Sequence, residues 1–226
     1  MMWWGQLMWV IAAGGVGFAV AAIFAQWLRM KRTGFLVPYV AIVGVFLYGY
    51  VQWSSIDLVE RLTRNWIWGL VGAVLVGALM VRNVLSQMAS SKSGSASLGF
   101  EIAWWGVVYG IVDALFLSVM PVLATWQAFA DLTWSDTWYG QVLIGVVALL
   151  ASSYVAAAYH LGYPEFQSAR VFLPVIGNSI MSLAYLLTTS PLAAIGSHAA
   201  MHIAAVLHGA ESTVQLPPHY GAERAR

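Results

Sequence analysis

Long apolar runs separated by short polar stretches fill the chain from one end to the other. A helix needs about 20 consecutive apolar residues to cross roughly 30 Å of hydrocarbon. Windows of that kind fall at about 7–28, 35–53, 66–85, 102–126, 139–160, 171–188 and 191–208. The pattern predicts an all-α polytopic transmembrane bundle of about seven spans, with six and eight as the neighbouring counts. The last two windows are short and meet at Thr189-Ser190-Pro191, which predicts an antiparallel helical hairpin. Small residues recur at helical spacing in the first window (Ala13, Gly17) and the third (Gly69, Ala73, Gly77). Such seams let helix backbones approach closely.

The polar stretches divide the chain. SSKSGSASLG, from Ser90 to Gly99, is of low complexity and reads as a flexible cytoplasmic linker. Four segments follow: 1–89 with three spans, the linker 90–99, a four-helix membrane core over 100–209, and a tail over 210–226. The tail carries Pro217, Pro218 and His219 and is expected to be disordered and cytoplasmic. The first three spans hold no Asp, Glu or His in their apolar cores, whereas the last four hold several.

Composition fixes the class. Of 226 residues, 61% are hydrophobic and 8% charged, with a mean hydropathy of +0.77, whereas soluble domains are about a quarter charged. This is the profile of an integral membrane protein. Trp3, Trp4 and Trp9 precede or enter the first apolar run with no leading basic residue, the mark of an uncleaved span with an aromatic belt rather than of a secretory signal. Net charge is +1 and the basic residues are scattered, so nothing marks a nucleic-acid partner. With the N-terminus outside, Arg29, Lys31, Arg32, Arg82, Lys92, Arg170, Arg224 and Arg226 face the cytoplasm and only Arg61 and Arg64 do not. That bias predicts an N-out, C-in protein, and the membrane is expected to be a bacterial inner membrane. Cysteine is absent, which excludes disulfides and thiolate ligands and leaves any metal site to His, Asp and Glu.

The candidate chemistry is intramembrane. Asp113 sits near the centre of the fourth span, where an unpaired carboxylate costs about 3 kcal/mol, so it must face the bundle interior. His198 and His202 are four residues apart in the last span, one above the other on the same helix face. His160 ends the fifth span shortly before Pro164. Three imidazoles and a carboxylate are sufficient ligands for a divalent metal such as zinc with a position left open for water. Other readings of the same residues are a protonated Asp113 joining helices, and a proton relay or transporter. Asn178 and Ser182 are expected to line the cavity as oxyanion donors or to join the last two helices. His208, at the end of the last helix, is expected to meet exposed carbonyls. No Lys lies in a span, which excludes a retinal Schiff base. A haem between two histidines would need His160 opposite one of the pair, because His198 and His202 share a helix face.

These residues resemble a known pattern. VDALFL (Val112–Leu117), AAAYH ending at His160 and HAAMH (His198–His202) are similar to the Glu-Glu-x-x-x-Arg, Phe-x-x-x-His and His-x-x-x-Asn/Asp motifs of the CAAX-prenyl-protease and bacteriocin-processing (CPBP) family, which includes the abortive-infection group. The run LAYLLTTSPLAAIGSH, Leu183–His198, resembles that family's approach to its final helix, and the likeness spans about 100–209. It implies an intramembrane metalloprotease with Asp113, His160, His198 and His202 as catalytic and metal-holding residues. Its substrate would be a membrane or lipidated protein reached from the bilayer or cytoplasm. The chain departs from the pattern at Val112, Leu117, Ala156 and His202, which stand where the family has Glu, Arg, Phe and Asn or Asp. The departures leave the water-activating role to Asp113 and His160. The alternative they imply is an inactive protein of the same fold that binds a metal, lipid or partner protein.

Overall fold

Each long apolar run folds as a helix. The computed structural model describes residues 3–89, 95–209 and 213–217. Seven of its helices are long and apolar enough to cross a membrane: α1 (Trp3–Trp27), α2 (Arg32–Ser54), α3 (Trp66–Leu85), α4 (Ser97–Phe129), α5 (Trp138–Leu161), α6 (Ala169–Thr188) and α7 (Leu192–Gly209). There is no strand among the described residues. The chain is an all-α helical bundle of an integral membrane protein, with each span satisfying its backbone hydrogen bonds internally. Large apolar side chains such as Trp27, Val45, Val74 and Leu187 point outward. A short helix, Leu58–Thr63, links α2 to α3 and is capped by Asp57, which accepts from the Glu60 backbone N–H at 3.0 Å.

The windows read from hydropathy match the helices to within a few residues, except at α4. That helix runs for 33 residues, well beyond the roughly 20 a span requires. Its apolar window is 72% buried against 50% or less in the other six. It is the axis of the bundle and touches α1, α2, α5, α6 and α7. Two π-helical stretches, Ile102–Val108 and Ala114–Val119, bracket Asp113 within it. Wide turns of this kind shift the facing of the residues that follow them and recur at functional sites.

Glycine seams bring α7 against α3 on one side and α4 on the other. A Cβ at Gly72 would stand 3.0 Å from the Ala193 Cβ, and one at Gly196 would stand 2.6 Å from the Ala73 Cβ. On α4, a Cβ at Gly110 would lie 2.8 Å from the Ala199 Cα, so backbone meets backbone there. In α1, Gly17 lies against Phe116 and Tyr159. Small residues thus set the interaxial spacings that place the polar groups.

The α6–α7 hairpin forms as its turn chemistry predicts. Thr189 takes a left-handed conformation (φ 51°), as does Asn65 (φ 52°) before α3, and the two side chains hydrogen-bond across that end of the bundle. At the opposite end His208 Nε2 donates to the Gln87 carbonyl at 2.8 Å; it meets a carbonyl beyond α3 rather than one of its own helix. Of the expected linker, Ser90–Gly94 with Lys92 lies outside the described residues, and residues 95–99 are already helical. Residues 210–212 and 218–226, with His219, Arg224 and Arg226, also lie outside them. Residues 213–217, expected as part of a disordered tail, form a turn packed on the bundle, with Leu216 buried. The reason is an apolar anchor together with hydrogen bonds to Gln87 and Arg32.

Candidate metal centre

The central helix delivers Asp113 to the face that α7 covers. The four-residue spacing of α7 stacks His198 and His202 toward it, with ring centroids 6.1 Å apart. Asp113, His198 and His202 each offer a ligand atom within 4.8 Å of the other two, and all three are buried. His202 Nε2 stands 3.7 Å from Asp113 Oδ2, beyond hydrogen-bonding distance. Two ligand atoms of a tetrahedral ion with bonds of about 2.0–2.1 Å lie roughly 3.4 Å apart. The trio is therefore slightly open relative to a closed site, by an amount that side-chain rotation covers.

The unpartnered nitrogens bear on what this trio is for. Neither ring nitrogen of His202, nor Nδ1 of His198, has a hydrogen-bond partner, although all are buried. A buried polar atom without a partner costs about 1–3 kcal/mol, and three in one cluster fit a site that closes on an ion. Asp113 is held from the other side: the Tyr39 hydroxyl donates to its Oδ1 at 2.6 Å. That bond leaves Oδ2 toward His202. Support of a ligating carboxylate by a neighbouring donor is the usual way such ligands are oriented.

A second layer fixes His198. Ser118 Oγ donates to Asn178 Oδ1 at 2.9 Å and lies 3.4 Å from His198 Nε2. With its one proton directed at Asn178, Ser118 can only accept from His198, which puts the imidazole proton on Nε2 and leaves the lone pair on Nδ1. Asn178 Nδ2 in turn donates to Ser152 Oγ at 2.8 Å, and Ser182 Oγ donates to Ser118 Oγ at 2.9 Å. Asn178 and Ser182 therefore tie α6 to α4 and α5, where one expectation had them join α6 to α7, and Asn178 also borders the cavity.

That cavity, of about 640 Å3, is lined by Asp113, His198, His202, His160, Tyr109 and Asn178 among others. His160 faces the same space but is not one of the three residues brought together. Its Nδ1 lies 2.7 Å from the Ala156 carbonyl one turn earlier. A carbonyl only accepts, so Nδ1 carries the proton and Nε2 keeps the lone pair. That bond fixes the ring at the cavity wall.

The sequence reading missed the tyrosines. Tyr39, Tyr109, Tyr159 and Tyr163 cluster beside the site: Tyr163 donates to Tyr159 at 2.6 Å, the Tyr109 and Tyr159 hydroxyls are 3.1 Å apart, and the Tyr109 ring is 4.7 Å from that of His202. Tyr39 comes from the half of the chain whose spans hold no Asp, Glu or His in their apolar cores. The available signal was its depth, about two turns inside α2 rather than in an interfacial belt. No family model, curated protein or solved structure matches the chain, and the centre is read from its own geometry.

Proposed function

We propose that the chain is a CPBP-like intramembrane hydrolase that uses a divalent metal, zinc foremost, to cleave a peptide bond in a membrane or lipidated protein. The observation that carries this reading is the convergence of Asp113, His198 and His202, buried and within 4.8 Å, on a cavity of about 640 Å3. Three protein ligands and one open position are the arrangement of catalytic rather than structural zinc sites. A metal there supplies Lewis acidity, polarising a carbonyl and lowering the pKa of water toward neutrality. The chain's own groups do the rest. Tyr39 orients Asp113, Ser118 sets the His198 tautomer, and His160 Nε2 takes a proton from water and returns it to the leaving amine. Asn178 lies on the cavity wall with its amide engaged by Ser118, Ser152 and Leu117, so it holds the layer behind His198 in place.

The π-helical stretch before Asp113 supports the resemblance at its weakest point. In the family the first Glu of the pair is the water-activating residue, one place before Asp113 and about 100° round a regular helix. A wide turn at Ile102–Val108 carries more residues per turn, so a later position can take up the facing of an earlier one. The apolar helices support insertion in a membrane, and lysine and arginine placement supports an N-terminus outside.

A second reading, a non-catalytic metal-binding protein of the same fold, is favoured by Leu117, which lies on the cavity wall where the family carries Arg. Metal content per mole of detergent-purified protein tests both. One metal in the wild type, lost in His198→Ala/His202→Ala, supports the centre, and cleavage abolished by Asp113→Asn separates the hydrolase from the non-catalytic reading. A wild type without metal sinks both.

A further inference from the structure

The mouth of the histidine cavity lies between α3, which contributes Met80 and Asn83, and α6, which contributes Leu173 and Pro174. The chain's own residues Val214–Pro217 border it. Their contacts are directed as much at main chain as at side chain. The Val214 N–H donates to Gln87 Oε1 at 3.3 Å, Gln87 Nε2 donates to Gln215 Oε1 at 3.0 Å, and Arg32 Nε donates to the Pro217 carbonyl at 2.7 Å. Gln87 is itself pinned through its carbonyl by His208, and the Arg32 guanidinium packs over Trp105 at 5.1 Å. One side chain of the turn is taken inward: Leu216 is 4% exposed, whereas Val214 is 56% exposed.

We propose that this mouth is a docking site for a non-helical peptide segment bearing a branched apolar side chain, and that residues 213–217 are its intramolecular occupant. The proposal deepens the hydrolase reading and rests on the histidine cavity being the working site. A transmembrane helix has its carbonyls engaged along its own axis, so a segment to be attacked must be unwound and its freed backbone groups given partners. Gln87 and Arg32 supply such partners beside the cavity, and the Leu216 position supplies apolar burial with little demand on the flanking sequence. Because the occupant is tethered, its effective concentration is high. A competing segment must displace it, so the protein is closed at rest by its own C-terminal turn.

The chain has no cysteine, and a Cβ at Gly177, on the cavity wall, meets nothing within 4 Å. Gly177→Cys in the full-length chain therefore introduces a single thiol whose labelling rate by a charged maleimide reports access to the cavity. Adding Leu216→Asp removes the apolar anchor and should raise that rate about tenfold. Gln87→Ala removes two of the three polar contacts at a half-buried position and should raise it several-fold without disturbing the bundle. The synthetic peptide Thr-Val-Gln-Leu-Pro should restore slow labelling to both variants, and Thr-Val-Gln-Asp-Pro should not. Unchanged rates in both variants would overturn closure by the turn. Faster rates that the first peptide fails to reverse would overturn the docking site. Neither metal nor cleavage enters this readout, so a protein without metal leaves it intact and its failure leaves the metal measurement standing.

Discussion

The Tyr39 hydroxyl donates to Oδ1 of Asp113 at 2.6 Å across the interface between α2 and α4. A charge-assisted bond of this kind contributes about 1.5–3 kcal/mol when buried, and it leaves Oδ2 as the oxygen nearer His202. Tyr39→Phe keeps the ring packing against Tyr109 and Tyr159 and removes only the donor. Metal affinity should fall by about tenfold to a hundredfold, as for other partners of ligating groups. Titration of the metal-free protein with zinc or cobalt, beside a circular-dichroism spectrum that stays helical, checks this. Equal affinities would mean that Asp113 needs no support from α2.

His160 separates binding from turnover. It lines the cavity yet is outside the close trio, with Nδ1 tied to the Ala156 carbonyl. His160→Ala should therefore keep one metal per chain, while any peptide hydrolysis drops by about a hundredfold to ten-thousandfold, the usual worth of a positioned general base. Loss of metal in this variant would instead make His160 a ligand, and the wild-type centre would then have four protein groups.

The spans and their hairpin were legible because hydropathy over about 20 residues is a strong signal and the Thr189-Ser190-Pro191 turn is local. Asp113, His198 and His202 were legible for a different reason: ionisable groups inside a span are costly and so must converge. What the sequence could not supply was the choice among partners. His160 and His208 each close a span, yet one lines the cavity and the other donates to the Gln87 carbonyl beyond α3 rather than to a carbonyl of its own helix. Tyr39 and Ser118 stood out less because a hydroxyl costs less to bury than a charge, and only the packing of α2, α4 and α6 shows whom they serve. The length of α4 and its π-helical turns follow from tertiary contacts that no periodicity of one helix encodes.

The serine and asparagine layer behind His198 should be a stability element as well as an orienting one. Ser152 Oγ donates to the Leu117 carbonyl at 2.8 Å and accepts from Asn178 Nδ2 at 2.8 Å, all of it buried. Ser152→Ala removes the short partners of the Asn178 amide and the Leu117 carbonyl and leaves only contacts at 3.5 Å from Asn178 Nδ2 to the Leu117 and Ser152 carbonyls, at a cost of about 1–3 kcal/mol. Thermal unfolding in detergent should show a lowered midpoint. Ser153→Ala makes the comparison: its hydroxyl bonds the Leu149 carbonyl of its own helix at 2.7 Å and lies 2.9 Å from Ser179 Oγ of α6, but Ser153 is only partly buried and the cavity is lined by other residues. Equal midpoints for the two variants would show that the buried layer adds nothing beyond what a partly buried serine pair between α5 and α6 contributes.

The spacing of α4 and α7 decides whether Asp113 and His202 can meet at all. A Cβ at Gly110 would lie 2.8 Å from the Ala199 Cα and 3.2 Å from a ring carbon of His202. The first of these is backbone and cannot swing away. Gly110→Ala must therefore push the helices apart, and the separation falls on the 3.7 Å gap between His202 Nε2 and Asp113 Oδ2. Overpacking of this size costs about 1–3 kcal/mol, and metal binding should weaken more than stability does, because ligand geometry responds to fractions of an ångström. Gly145→Ala on α5 is the control, since a Cβ there meets nothing within 4 Å. It should leave metal binding unchanged and slightly raise the unfolding midpoint through helix propensity. If Gly110→Ala binds metal as tightly as Gly145→Ala, the close approach of α4 and α7 is packing alone and does not set the centre.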